Sequence, residues 1–345
     1  MKTRAVVVGA GARTPIGLDA QATGFLYRAS CIVMQEGPLL DPDGEPVTIC
    51  ALPTLDPRVT GMTRLLDLAL PVLDETLAQI GSACTRLRAK LLLCLDEAFG
   101  ARGVANELSS TAARRAGAHF AEVTVSLCAR GPAALGMVLD DALGEIERNQ
   151  VDVLVVLGAH TDYDKDRVAA LAAACRLFRP DRLEALIPGE CAACVVIVKP
   201  ALARARELSA RVRLHATGTG WEKARPDNDE SAFAATGLTA ALRKVGETLS
   251  EDGLRAGWLL TDLTSEPFRY YEFSAALART QRYLCEPQHA DSPAQRLGYL
   301  GAAAMPLHLV LAAQAYRHGW APHPIAISLA GSDAGERATL LLSAP

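Results

Sequence analysis

The stretch Val123-Thr124-Val125-Ser126-Leu127-Cys128-Ala129-Arg130-Gly131-Pro132-Ala133-Ala134-Leu135-Gly136 decides how the chain is read. A β-rich run from Val123 to Leu127 ends in a cysteine, and a glycine and a proline follow before a helical pattern begins. Leu135, Val138, Leu139, Ala142 and Ile146 recur at three- and four-residue steps, which puts them on one helix face. Pro132 fits a first helical turn, where its missing N–H costs nothing. The pattern places Cys128 where a buried strand hands over to a helix N-terminus. Unpaired amides and the positive end of the helix dipole favour a thiolate there, so the context predicts that Cys128 is a nucleophile and the most reactive of the nine thiols. The plainer reading is a small buried hydrophobe, the usual condition of a free cysteine.

Working outward, the chain alternates strands and helices. Ala5 to Val8 reads as a buried strand turned by Gly9 to Gly11. A Gly-x-Gly after a first strand suggests a dinucleotide loop, but Thr14 occupies the third glycine position and Pro15 follows, so a plain turn is the better reading. Residues 37–58 are rich in Pro, Asp and Gly and read as loop. Met62 to Ile80 has a helical apolar face with Pro71 inside it, which predicts a kink or break. Lys90 to Leu95 reads as a strand, Val104 to Ala116 as a helix, Val151 to Leu157 as a strand, Arg167 to Ala174 as a helix and Ala192 to Val198 as a strand. From Val212 onward the series repeats. A helix from Phe233 to Leu249, a strand from Gly257 to Thr261 and a helix from Tyr271 to Thr280 precede Gly301-Ala302-Ala303-Ala304-Met305-Pro306. That stretch and its helix mirror Cys128 to Pro132 and theirs, and strands from Pro324 and Ala338 close the series. Two such series suggest an internal duplication, with residues 1–200 forming one half and 201–345 the other.

Four segments, in order, carry a family resemblance. Cys128 to Gly136 resembles the nucleophile segment of the β-ketoacyl-acyl-carrier-protein synthases, Cys-Ala-Ser-Gly followed by a small-residue helix. Val151 to Ala159 is similar to the family's next strand. Arg179-Pro180-Asp181-Arg182 with Ile187-Pro188-Gly189-Glu190-Cys191-Ala192-Ala193 resembles its Asp-Arg-Asp-Gly … Gly-Glu-Gly-Ala-Ala segment. Val6 to Gly17 resembles the way such synthases open. The resemblance implies an α/β fold, a thiolase-like α-β-α-β-α layered sandwich of two duplicated halves with two central helices buried between sheets. It also implies acyl transfer from an acyl carrier protein or acyl-CoA, no cofactor or metal, and a homodimer or a heterodimer with a ketosynthase.

The family's decarboxylation chemistry needs two histidines, and neither transfers. The first, in His-Gly-Thr-Ser-Thr-Pro, falls on Asp262 of Asp262-Leu263-Thr264-Ser265-Glu266-Pro267. The second, in Gly-His-x-x-Gly-Ala-Ala, falls on Gly298 of Leu297-Gly298-Tyr299-Leu300-Gly301-Ala302-Ala303. The family's lysine five residues earlier falls on Pro293, and its glycine-rich phenylalanine loop becomes Leu329-Ala330-Gly331-Ser332-Asp333. His160, after the strand at Gly158-Ala159, and His308, early in the second central helix, are the histidines placed to approach Cys128; a structural role is the plainer reading of each. Asp262 and Glu266 would serve as acids or bases if burial raised them, with exposed loop acids as the plainer expectation.

Composition bounds the rest. The chain has 345 residues, half of them hydrophobic, and a formal net charge of −4, which argues against a disordered or strongly nucleic-acid-binding chain. No run of eighteen apolar residues marks a membrane span, and Arg13 interrupts the short apolar start, which reads as a strand and not a signal peptide. Nine irregularly spaced cysteines point to reduced thiols in a cytoplasm. Cys191-Ala192-Ala193-Cys194 lacks a second ligand pair and lies at the start of an apolar strand, so buried packing outweighs zinc or redox chemistry. Two functions stand. One is an acyltransferase using Cys128 and defective in malonyl decarboxylation; the other is a non-catalytic partner subunit resembling a chain-length factor, or a scaffold.

Overall fold

The structure, a computed structural model, describes residues 1–100, 104–226 and 234–345. Phe233, the expected start of a helix, lies outside the described residues. The strands are β1 (Ala5–Arg13), β2 (Gln35–Leu40), β3 (Pro46–Ile49), β4 (Arg88–Leu95), β5 (Glu122–Ala129), β6 (Val153–Thr161), β7 (Glu190–Val198), β8 (Val212–Trp221), β9 (Ala256–Thr261), β10 (Leu284–Asp291), β11 (Ile325–Gly331) and β12 (Glu336–Ser343). The helices are α1 (Ala20–Arg28), α2 (Gly61–Ala78), α3 (Val104–Ala116), α4 (Ala134–Glu147), α5 (Lys165–Ala173), α6 (Pro200–Ala205), α7 (Thr236–Glu251), α8 (Pro267–Thr280), α9 (Ala294–Leu297) and α10 (Ala304–Arg317). None is long and apolar enough to cross a membrane.

Ten strands run in the order β10-β9-β11-β12-β8-β1-β7-β6-β4-β5. Mapping β1, β4, β5, β6 and β7 onto β8 to β12 in turn gives both halves the same order. The pairing senses also agree: β4 is parallel to β5 and β6, as β9 is to β10 and β11, and the remaining pairs are antiparallel in both. Only Ala5 to Val7 of β1 pair with β8, so a three-residue ladder joins the halves. This is the duplication that the repeated series predicts. The layers follow from the cores. α2 and α3 cover the outer face of one half, α4 and α10 lie against the inner faces of both, and α7 and α8 cover the other outer face. α10 is buried from Ala304 through Ala315, which its alanine-rich sequence permits on every side. The molecule is thus a thiolase-like α-β-α-β-α sandwich.

Several expectations are corrected. β1 does not turn at Gly9 to Gly11 but continues to Arg13. Glycine is needed there because a Cβ at Gly11 would overlap Thr76 of α2, so these glycines serve helix-on-strand approach and no nucleotide loop. Residues 37–58 are not all loop, since β2 and β3 form a small hairpin. α2 runs through Pro71 without a break in its assignment. β5 is not a buried strand. It is the edge of the sheet, with Val125 and Leu127 exposed at 38% and 39%.

Candidate functional site

The C-terminal ends of β4, β6 and β11 converge with the turns that precede α4 and α10. Asp96 to Phe99 follow β4, His160 and Thr161 end β6, and Asp333 follows β11; Pro132 and Tyr299 come from the two turns. Together with Asp162, Arg167 and neighbours they enclose a cavity of about 440 Å³.

His160 is its centre. Its Nδ1 lies 2.5 Å from Asp96 Oδ2, and its Nε2 lies 3.0 Å from Asp162 Oδ2 but outside hydrogen-bond geometry. Asp96 is held in turn by Ala302 N, which donates to its Oδ1 at 3.0 Å. Asp162 accepts from Arg167 Nε at 2.7 Å. The Tyr299 ring stands edge-on to the imidazole, with centroids 5.0 Å apart. Gly301 sits at φ +45, where a Cβ would overlap the His160 ring, so this turn can close on the histidine only as glycine. Burial opposes charge on His160, but Asp162 and Asp96 outweigh it and raise the imidazole to about 10. Burial also opposes charge on Asp162, yet His160 and Arg167 hold its carboxyl well below the usual range. At neutral pH His160 is therefore held as an imidazolium, with both ring nitrogens facing carboxylates, and is unsuited to accept a proton.

Cys128 does not line this cavity. It is 7% exposed, paired in register with Cys94 of β4, and its Sγ donates to the Ala134 carbonyl at 3.4 Å. Burial pushes the thiol up to about 11, with Arg130 only partly offsetting it and Glu336 and Glu97 adding to the rise. The expected lowering is thus corrected. Burial is the larger cause, and the junction offers little to offset it. A 3₁₀ turn, Gly131–Ala133, intervenes before α4 starts at Ala134, and the Ala133 amide is already taken by Ser332 Oγ at 3.1 Å. Ser332 Oγ in turn donates to the Arg130 carbonyl.

Asp262 lies apart from the His160 cavity. Its Oδ2 accepts from Gly331 N at 2.8 Å, and it faces a void of only about 10 Å³ beside Arg269, Glu272 and Arg337. Burial raises its carboxyl, with Arg269 opposing. Glu266 pairs with Arg176 at 2.6 Å. Both acids are buried, which corrects the expectation of exposed loop acids. Gly298, at φ +73, is pressed against the Pro188 carbonyl and Cys50, while its neighbour Tyr299 reaches the cavity. His308 is fully buried with Nδ1 2.9 Å from Ser328 Oγ, and burial lowers it to about 3; it is a neutral histidine between α10 and β11. Cys191 and Cys194, three apart on β7, fall on opposite faces of the sheet and belong to different cores, so they do not share a ligand.

Behind the site, Glu190 of the Gly189-Glu190 motif is fully buried. It receives Arg64 Nε and Nη2 at 2.6 and 2.7 Å, Leu52 N at 2.6 Å and Thr161 Oγ1 at 3.0 Å. Asp333 binds Arg176 at 2.6 Å and Arg269 at 2.9 Å. Sequence reasoning singled out His160 but gave no site role to Asp96 or Asp162, which no local motif marks, nor to Tyr299 and Asp333, which lie in the stretches matched to the second histidine motif and the glycine-rich loop.

No protein-family model matches the chain, and no curated protein sequence matches it. Solved structures do. "The ishigamide ketosynthase/chain length factor" aligns over the whole of both chains with a TM-score of 0.80 at 18% identity. A type II polyketide synthase acyl-carrier protein in complex with its ketosynthase gives 0.80 at 13%, again over both chains. A β-ketoacyl synthase from Burkholderia phymatum STM815 gives 0.75 at 16% over both chains. At these identities the likeness establishes the fold.

Proposed function

We propose that this ketosynthase-fold chain does not condense acyl groups by itself. It acts as a chain-length-factor-like subunit that pairs through β5 with a second subunit of the same fold and meets acyl groups presented by an acyl carrier protein. The observation that carries this reading is the fate of the two histidine positions. Asp262 is tied to Gly331 N beside a void too small for substrate, and Gly298 has no side chain and abuts the Pro188 carbonyl. Losing one oxyanion donor costs about two to three orders of magnitude in rate, and both are lost. The bare edge of β5 supports the pairing, because an exposed apolar edge strand is a template for another strand. Of the solved structures with this fold, one is a ketosynthase/chain length factor and another a ketosynthase in complex with its acyl-carrier protein.

A second reading keeps Cys128 as an acyl acceptor without decarboxylation. Arg130 favours it, since its charge works against the burial of the thiol. Intact-mass spectrometry after incubation with acyl-CoA and acyl-carrier donors separates the two. The first reading expects an unmodified chain; an acyl adduct mapped to Cys128 supports the second.

A further inference from the structure

On another part of the surface, α1, α2 and α10 border a cleft of about 480 Å³ that shares no lining residue with the His160 cavity. Arg211, just before β8, and Arg317, at the end of α10, line it together, and both also line a second cavity of about 340 Å³. Among the described residues neither guanidinium has a carboxylate within 4.0 Å or a side-chain hydrogen bond. Burial and then the charge of Arg317 push Arg211 below its usual value. Two guanidiniums without a side-chain partner, Arg211 half-buried and Arg317 exposed, leave forked donors open to an anion in one cleft, with the Glu75 charge only partly offsetting that of Arg211.

A second observation comes from Gln314. It lies three residues before Arg317 and so on the same face of α10. It is 4% exposed, lines the cleft, and its Oε1 is buried with no donor. A buried acceptor left unpaired costs the desolvation of that group, which a ligand hydroxyl would recover. The acids on the wall are already committed. Glu75 accepts from Ala12 N at 3.1 Å and Ala20 N at 3.0 Å, and Asp19 caps α1 through Ala22 N at 2.7 Å.

We propose that this cleft binds a phosphate group, free or as a monoester, with Arg211 and Arg317 on its charged oxygens and Gln314 accepting from its hydroxyl. The guanidinium fork matches phosphate geometry. A protonated oxyanion also satisfies Gln314, which sulfate at neutral pH does not.

The test is isothermal titration of the full chain, at ionic strength matched with chloride, with inorganic phosphate, glycerol 3-phosphate and sulfate as probes. Saturable phosphate binding is expected, weakened at least tenfold in Arg211→Gln/Arg317→Gln and unchanged in Arg148→Gln. Tighter glycerol 3-phosphate would identify a monoester as the occupant, and equal or weaker binding would identify free phosphate. Gln314→Leu should keep or raise thermal stability, because it removes an unpaired buried atom, while bringing phosphate down to the sulfate level. No saturable binding, or binding indifferent to both arginines, overturns the proposal. Should the double variant fail to fold, Arg317→Lys, which keeps the charge but loses the fork, must still weaken phosphate binding.

Discussion

Nδ1 of His160 lies 2.5 Å from Oδ2 of Asp96, although the two residues are 64 positions apart and on separate strand ends. This pair, with Asp162 beyond it, makes the protonated imidazole part of the folded state. In the unfolded chain histidine titrates near 6.5, and in the folded chain His160 titrates at about 10. Its folded value is the higher one, so its contribution to stability is complete below about pH 6.5 and is lost as pH rises towards 10. The native protein should therefore lose thermal stability across that window, and His160→Gln should flatten the loss. A parallel decline in the variant would show that other groups set it.

His308 works in the opposite sense. Burial holds it neutral, titrating at about 3, so the unfolded chain binds the extra proton between pH 6.5 and 3 and stability falls on acidification through that range. His308→Gln should lessen this acid loss while leaving the alkaline side unchanged. Equal acid sensitivity in both proteins would contradict the neutral buried assignment.

Cys128 should react slowly. Cys175 is exposed, whereas Cys128 is buried with its thiol raised to about 11. Limiting iodoacetamide with peptide mapping should label Cys175 well before Cys128, and first labelling of Cys128 would restore the strand-to-helix expectation.

The Arg64–Glu190 pair predicts a large stability effect. Glu190→Ala leaves Arg64, 1% exposed, without its partner, and breaking such a buried pair costs about 3–5 kcal/mol. Chemical denaturation should show it. A loss within experimental error would mean that water or Tyr163, over which Arg64 stacks at 3.7 Å, takes up the charge.

Pairing through β5 predicts a dimer at micromolar concentration by light scattering. Ser126→Pro removes a backbone donor from the edge strand, and Val125→Lys with Leu127→Lys adds repelling charges; both should shift the protein to monomer. A stable wild-type monomer that also fails to bind a ketosynthase would remove the pairing reading.

Much of the fold was legible because central strands are continuous apolar runs. β6 and β7 are buried at every position, and the early-turn prolines, Pro132 and Pro306, mark both central helices. β10 was not read, since Leu284–Asp291 is a largely exposed edge with the polar run Glu286-Pro287-Gln288-His289; only its place in the sheet reveals it as the counterpart of β5. The site was less legible for a different reason. Asp96, His160 and Asp333 meet through sheet order and not through sequence spacing, so no single motif signals that they share a cavity. The Cys128 thiol runs against the strand-to-helix expectation because burial outweighs the amides of the junction, one of which is taken by Ser332, about two hundred residues away.

On the proposed function, this chain alone does not decarboxylate a malonyl thioester. The direct measurement is carbon dioxide release from carboxyl-labelled malonyl-acyl carrier protein with the purified chain as the only enzyme, beside its Cys128→Ala variant. The account predicts release at background in both. Release at ketosynthase rates that disappears with Cys128→Ala would contradict it.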